Sequence, residues 1–512
     1  MPLKENPNRR QFLAPAAATV AFSIVPRHAL GGPGFVAPSD KLTLAYIGCG
    51  TQGLRELLRL VANPEVQVVA VCDPERDNTN YVDWSKTGIR DSIRKILEEP
   101  NWGAGLQGVR AGREVAREII QTYYAKKRST EKFRGCSSYE DCRELLEKEK
   151  DLDSVKVMTP DHHHATISIA AMKKGKHVAM HKPLANRVYE ARLVVETARK
   201  TGVATHLLAW RSPLNAVRDM ILEGAIGRLR EVHNWTDRPF WPQWQSIPSE
   251  RPTPPRSFNW DLWLGPALDR PYHPCYTHAV FRGWYDFGGG SIADMGNYSL
   301  WPIFMALDLP APASIEANVS SSCEIVDQVS GVKMNDFSFP NAAKVRFKFP
   351  AHGPWPPLTL YWYEGGMRPW TPEELEVDKK QMPATGTMFV GDKGIILGNQ
   401  IIPEKKMREY RAQKPAPPSQ EGRRGGGAGG GGESEWVQAF KGGKPSAGNF
   451  LNAAACAEAI CLAGVAIRVS RKNFNEGHTT PPLEWDAQNM KVTNMAEANQ
   501  YLYREYREGW KL

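Results

Sequence analysis

Asp294 and Tyr298 lie four residues apart in the stretch FGGGSIADMGNYSLWP, residues 287–302. Four residues is about one helical turn, so on a helix the carboxylate and the phenol project from the same face. Such a pair can move a proton. Equally, an Asp can cap a helix start and a Tyr can pack in a core. Three consecutive histidines, His162–His164, raise the question of a metal. Three adjacent side chains cannot all face one ion from an ordinary strand or helix, so loop and cofactor contacts are expected there and no metal site is.

A second constellation is stronger. In KLTLAYIGCGTQGLRELLRLVANPEVQVVAVCDPE an apolar run ends in Gly48, Gly50, Thr51, Gln52 and Gly53. An amphipathic segment follows, then a second apolar run closing on Asp73. This is strand, glycine turn, helix, strand, acid. Gly48 permits the tight turn, Gly50 lets the backbone approach a pyrophosphate, and Gly53 lets helix and strand pack closely. The helix N-terminus then faces the phosphates. Asp73 stands 25 residues after Gly48, near the spacing at which an acid binds the adenosine ribose hydroxyls. An acid there repels a 2′-phosphate, so NAD is favoured over NADP.

The elements that must position these groups follow from the rest of the chain. At 512 residues it is long enough for two domains. Its 65 basic and 56 acidic residues give a net charge of +9, spread along the chain with no dense basic tract interleaved with aromatics, so no nucleic-acid groove is expected. Eight cysteines form no CxxC pair or zinc-type cluster and establish no disulfide framework. The N-terminal NRRQFLAPAAATVAFSIVP has the form of a twin-arginine export signal, which carries folded proteins to the periplasm or beyond. Its apolar run is too short for a stable membrane span.

The expected organisation is a signal and linker over 1–38, a dinucleotide-binding domain over 39–209 with an insertion at about 74–135, and a second domain over 210–512. The last carries a flexible Gly-rich loop at about 415–434. Between 138 and 209, helical and apolar segments alternate (SYEDCRELLEKE, DSVKVMTP, HATISIAAMKKG, HVAMHKP), which predicts an α/β Rossmann domain with a doubly wound parallel sheet. REVHNWTD, ASIEANVSS, NAAKVRFKF and PLTLYWYEG read as strands of an α+β domain with a large, mostly antiparallel open sheet. NFLNAAACAEAICLAGVAIRVSRK reads as a helix apolar nearly all round, suited to a core.

Taken together, the glycine turn, TPDHHHA and HKPL resemble the Gfo/Idh/MocA oxidoreductases. WDLWLGP, RPYHP, RGWYDFGGG and YREYREGW are similar to a branch common among exported bacterial members. The resemblance implies an NAD-dependent oxidoreductase of sugars or cyclitols. It places Lys182 beside the nicotinamide and the reacting hydroxyl, where an ammonium stabilises a developing alkoxide. His181 stands where the family's E-K-P motif has Glu. Thr159, Pro160 and Asp161, with His164 and His181, fall on the nicotinamide side. Asp294 and Tyr298 fall on the D-x-x-x-H element, with Tyr298 in place of His, as in members of the glucose–fructose oxidoreductase type. A Lys182–Tyr298 pair that shuttles a proton, with a Tyr pKa brought down by the ammonium, is the expected device. Arg211, Tyr276, Arg282 and Trp284 are expected to hold the sugar. The family implies a homo-oligomer. Export away from any free nicotinamide pool keeps two rival readings open: redox-neutral glycoside cleavage through a transient keto-sugar, and a non-catalytic carbohydrate-binding relative.

Overall fold

The computed structural model describes residues 40–83, 85–414 and 432–512. The twin-arginine stretch and residues 415–431 of the Gly-rich loop lie outside the described residues.

Strands β1 (Leu42–Ile47) and β2 (Val66–Cys72) pair in parallel around the helix Thr51–Val61. Leu54, Leu57, Leu58 and Val61 recur at helical spacing and are buried, so this helix sits on the sheet by one apolar stripe. A hairpin of β3 (Asn78–Tyr81) and β4 (Val109–Ala111) follows, with the helix Gly88–Leu97 between its strands. The next helix, Arg113–Lys127, lies at the end of the segment expected as an insertion and packs on β2: the Val68 N–H donates to the Tyr124 hydroxyl at 3.0 Å. It serves as the crossover to β5 (Ser137–Tyr139), which adds to the sheet edge. Strands β6 (Ser154–Val157), β7 (His177–Met180) and β8 (Thr205–Leu207) extend the other side. The order β5-β2-β1-β6-β7-β8, all parallel, is the doubly wound sheet.

The second half forms a nine-stranded sheet. It begins with β9 (Leu229–Trp235) and β10 (Ser314–Val319); β11 (Cys323–Val326) and β12 (Val329–Val332) form a separate hairpin. β13 (Ala343–Phe349), β14 (Leu358–Tyr363), β15 (Gly386–Gly391), β16 (Ile395–Leu397), β17 (Gln400–Ile402), β18 (Leu483–Asp486) and β19 (Lys491–Val492) complete it. Among its pairings, β9 with β14 is parallel and the others are antiparallel. In β13 alternate residues are buried, the pattern of a sheet with one covered face.

The helix Phe450–Asn475 is long and apolar enough, by length and composition alone, to cross a membrane, with a window hydropathy of 1.9. Here it is a core helix, wedged between β10 and the helix Val188–Thr201. The apolar faces that look membrane-like in sequence bury against both domains. All eight cysteines are free, and Cys49 and Cys72 fill buried strand ends. The chain end returns to the first domain, where Arg504 and Tyr506 both reach the buried Glu190, at 2.7 and 2.8 Å.

Candidate active site

A cleft of ≈ 1070 Å³, part of it open to solvent, runs along the carboxyl ends of β1, β2 and β6. Its floor is the glycine turn. Gly48 has φ +100°, and a Cβ there would lie 2.5 Å from the Met158 carbonyl carbon. A Cβ on Gly53 would overlap the Gly48 carbonyl oxygen, and one on Gly50 would come within 3.2 Å of the Tyr81 ring. Side chains are therefore excluded from this turn, which leaves backbone able to approach a ligand. Thr51 and Gln52 line the same wall.

Asp73 closes the cleft at the end of β2. Its carboxylate accepts from the Cys49 N–H at 2.6 Å and the Glu75 N–H at 2.8 Å. Burial nevertheless pushes its pKa up to about 6, against the pull of those two hydrogen bonds. Each oxygen keeps a lone pair for a further donor such as a ribose hydroxyl. At the other end Thr159 and Pro160 line the wall, and among the described residues the buried Thr159 hydroxyl has no partner. A side-chain-free phosphate cradle, an acid at one end and an orphaned hydroxyl at the other are what a dinucleotide requires. The residues present fit NAD.

The candidate catalytic groups meet where the two domains touch. The segment Ile292–Gly296 is a π-helical turn leading into the helix Asn297–Leu307. Such wide turns recur at functional sites. The buried Glu364 accepts from the Trp362 indole at 2.9 Å and from the Ile292 N–H, which holds the turn at its start. From this element Asp294 pairs with Lys182, and the Tyr298 hydroxyl lies 3.1 Å from His181 Nε2. The two side chains thus meet two consecutive residues of the HKPL step. Asp294 caps no helix; its carboxylate faces the ammonium.

Around this pair, Arg282 lies 2.9 Å from Asp161 and 3.7 Å from Asp294. Asp161 also accepts from the Gly289 N–H at 3.1 Å. Burial alone would raise the Asp294 carboxyl, but Lys182 and Arg282 outweigh it and hold it below the ordinary carboxylate range. Burial, helped by the Arg282 charge, draws Lys182 below its usual value despite Asp294. Burial and then the Lys182 and Arg282 charges keep His181 neutral, far below the usual imidazole range. Burial and the Asp294 charge push the Tyr298 phenol up.

These placements correct several expectations. Lys182 does not partner Tyr298: its ammonium is 5.6 Å from the phenol ring centre and belongs to Asp294. The phenol is kept protonated, because desolvation and a neighbouring carboxylate both oppose phenolate. Its proton partner is His181, which lines the cleft. His164 is not on the cleft. It is fully buried, with ring nitrogens 2.6 Å from the Pro183 carbonyl and 2.9 Å from the Thr159 carbonyl, so it fastens the β6 end to the HKPL step. His163 lines the cleft instead. Tyr276 and Trp284 are core: the Trp284 indole donates to the Cys275 carbonyl at 2.8 Å, and Tyr276 packs edge-on to it. So aromatic a loop buries its own rings first. Arg211 is exposed beside the site, 4.8 Å from the Tyr298 ring centre. Among the described residues no group of three His, Cys, Asp or Glu is arranged to hold a metal.

Sequence reasoning missed Tyr81, Trp263, His278, Phe281 and Trp510 on the cleft wall. No local spacing marks them, because they arrive from the hairpin, the aromatic loop and the chain end.

Two family models match the chain. One, described as an oxidoreductase family NAD-binding Rossmann fold, covers residues 106–208; the other, an oxidoreductase family C-terminal alpha/beta domain, covers 217–347. The first domain is an NAD-binding Rossmann domain. The chain is 36% identical over 114 residues to a dTDP-3,4-didehydro-2,6-dideoxy-alpha-D-glucose 3-reductase of Streptomyces violaceoruber, covering 20% of this chain and 33% of that protein. It is 28% identical over 225 residues to a glycosyl hydrolase family 109 protein of Stenotrophomonas maltophilia, covering 43% and 40%. The matched part is thus a minority of each relative. Among solved structures, a WlbA dehydrogenase from Bordetella pertussis in complex with NADH and UDP-GlcNAcA is 14% identical with a TM-score of 0.47, over 86% of this chain and 99% of that one. An aldose-aldose oxidoreductase from Caulobacter crescentus is 16% identical with a TM-score of 0.46, over 87% and 100%.

Proposed function

The chain belongs to the Gfo/Idh/MocA oxidoreductase family, and on that premise we propose that it is an NAD-dependent oxidoreductase acting on a ring hydroxyl of a sugar or cyclitol. The observation that carries this reading is the convergence of Asp294 and Tyr298 on Lys182 and His181 at the nicotinamide end of the glycine cleft. When bound, NAD supplies a hydride acceptor or donor for a ring carbon. The glycine turn and Asp73 hold it, with Thr159 and Pro160 beside its reactive end.

Lys182 offers an ammonium to the reacting oxygen, and its lowered pKa makes it a better proton donor than an ordinary lysine. Asp294 fixes its position, and Arg282 ties Asp294 to Asp161. Tyr298 and His181 form a second, uncharged hydrogen-bonding pair: the phenol keeps its proton and the imidazole stays neutral, so the pair can orient a hydroxyl without adding charge. The exposed Arg211 is the sugar-facing donor in this reading. Export through the N-terminal twin-arginine stretch and assembly as a homo-oligomer belong to the same proposal. A cofactor carried out inside the folded protein would return to its starting state within each cycle.

A second reading is favoured by the glycosyl hydrolase family 109 relative. In it the sugar is transiently oxidised, loses its aglycone by elimination, adds water and is reduced again. One experiment tests both. The purified protein is denatured and its released small molecules are identified by mass spectrometry, and the native protein is incubated with sugars and aryl glycosides without added cofactor. Bound NAD and a keto-sugar with NADH are the expected result. Released aglycone without net NADH would establish the second reading, and a protein that binds no nicotinamide dinucleotide, even when it is added, would overturn both.

A further inference from the structure

Behind the turn that carries Asp294 lies a second cavity, of ≈ 420 Å³ with part of it open to solvent, between that turn, the residues following HKPL and the long helix Phe450–Asn475. It shares only its wall with the catalytic cluster. Gly288, Gly289 and Ala293 line it from one side, while the Gly289 N–H holds Asp161 on the other.

Three residues that line this cavity carry a buried side-chain donor atom without a partner among the described residues. Tyr285 is 3% exposed and Asn186 8% exposed; both line the cavity. Among the described residues, the Tyr285 hydroxyl, the Asn186 Nδ2 and the Arg468 Nε are buried without a hydrogen-bond partner. Asn186 already accepts from Arg504 through its oxygen, so the free atom is a donor. Arg468 lies against two rings, its guanidinium carbon 4.9 Å from the Tyr285 centre and 4.3 Å from that of Tyr501. It forms no ion pair with a carboxylate among the described residues. Arg187, also in the lining, is committed to the Asn186 and Tyr285 carbonyls at 2.8 and 3.0 Å. The nearby acid Asp286 pairs with Arg270, has Arg187 at 3.8 Å and also feels the Arg468 charge, so three guanidiniums share one carboxylate. Arg471 and Glu364, of opposite sign, lie behind Tyr285 and outside the lining.

Buried donors left unmatched are costly, and a guanidinium with no carboxylate in direct contact is more so. An excess of guanidinium charge over carboxylate, with two neutral donors, suits an anion with planar acceptors. The remaining wall, from Phe339, Ile460, Val465 and Ala185, is apolar and suits a short carbon body. We propose that this cavity binds a small organic carboxylate, held by Arg468 with the Tyr285 hydroxyl and the Asn186 amide. The site is separate from the nicotinamide cleft and stands one backbone layer from Asp161.

The test is calorimetric titration of the full-length protein with sodium propanoate, which carries no reactive hydroxyl, beside sodium chloride and sodium phosphate. Saturable binding of propanoate is expected. Arg468→Met should weaken it by about tenfold or more, ~1.4 kcal/mol. Arg468→Lys and Tyr285→Phe should weaken it less while preserving the fold, and NAD binding should be unchanged in all three. Should Arg468→Met fail to fold, the lysine and phenylalanine variants decide. Absence of propanoate binding, equal binding of chloride or phosphate, or propanoate affinity indifferent to these variants would overturn the proposal.

Discussion

Asp73 lines the dinucleotide cleft and Asp294 sits in the charge cluster beside it, yet the titrations of these two largely buried carboxyls move in opposite directions. Asp73 receives two backbone N–H groups, and burial still wins, lifting it to about 6. Asp294 receives an ammonium and a guanidinium, and their charges overcome burial. Hydrogen bonds from neutral donors soften a desolvation cost; full charges reverse it. The dinucleotide end therefore keeps a carboxylate that neutral donors, such as hydroxyls, can engage, and the Lys182 end keeps one that stays ionised further into acid.

The pH dependence of stability should divide the same way. For Asp73 the folded state binds its proton more tightly than the unfolded chain, so its contribution to stability falls as pH rises from its ordinary 3.8 to about 6. For Asp294 the folded pKa is depressed, so its contribution is complete above the ordinary carboxylate value and is lost as pH falls through the lower folded one.

The largest effects should appear at the catalytic end. Lys182→Met should lower sugar turnover by about 10²–10⁴-fold with NAD affinity retained, as expected for removal of a proton-transfer group. Asp294→Asn should cost about 3–5 kcal/mol in urea unfolding, because Lys182 loses its carboxylate inside the protein. Lys182→Met should cost less, since Asp294 keeps Arg282 and Arg282 keeps Asp161. Equal unfolding costs for the two variants would break the comparison.

A smaller effect is expected at Asp73. In calorimetry, NAD binding by the wild type should weaken as pH drops through about 6, when the carboxyl takes up a proton and loses acceptor capacity. Asp73→Asn should bind about tenfold more weakly than wild type at pH 7.5 and show no such pH dependence, given the worth of a hydrogen bond to a charged group. A variant that retained the wild-type pH profile would remove Asp73 from the ribose role.

The smallest effect concerns the chain end. Trp510 lines the dinucleotide cleft, edge-on to His163 and beneath the Arg143 guanidinium at 4.3 Å. Trp510→Ala should speed release of bound NAD by about threefold to tenfold, the scale of one aromatic contact, with turnover at saturating cofactor unchanged. Stopped-flow measurement of dissociation checks it.

Legibility followed locality. The glycine turn was readable because its constraint lies within six residues: Gly48 needs its positive φ and Gly53 its missing side chain whatever the rest of the chain does. The convergence of Asp294 and Tyr298 on one site was readable for a similar reason, a fixed helical spacing. Their partners were not. Whether Tyr298 met Lys182 or His181 depended on how a second-domain turn docks on the β7 end, a contact 117 residues apart in the chain. Tyr276 and Trp284 carried the right chemistry for a sugar face, but burial within the aromatic loop removed them.

By itself, then, the sequence determined the dinucleotide turn, the alternation that builds the parallel sheet, the second open sheet and the residue types available for catalysis, because each rests on backbone conformation or short-range periodicity. Only the tertiary structure decided which cation holds Asp294, which base faces Tyr298, which histidine reaches the cleft and that Trp510 returns to close it. Those pairings are set by packing between elements far apart in the chain, where distance and desolvation choose among partners that composition leaves equivalent.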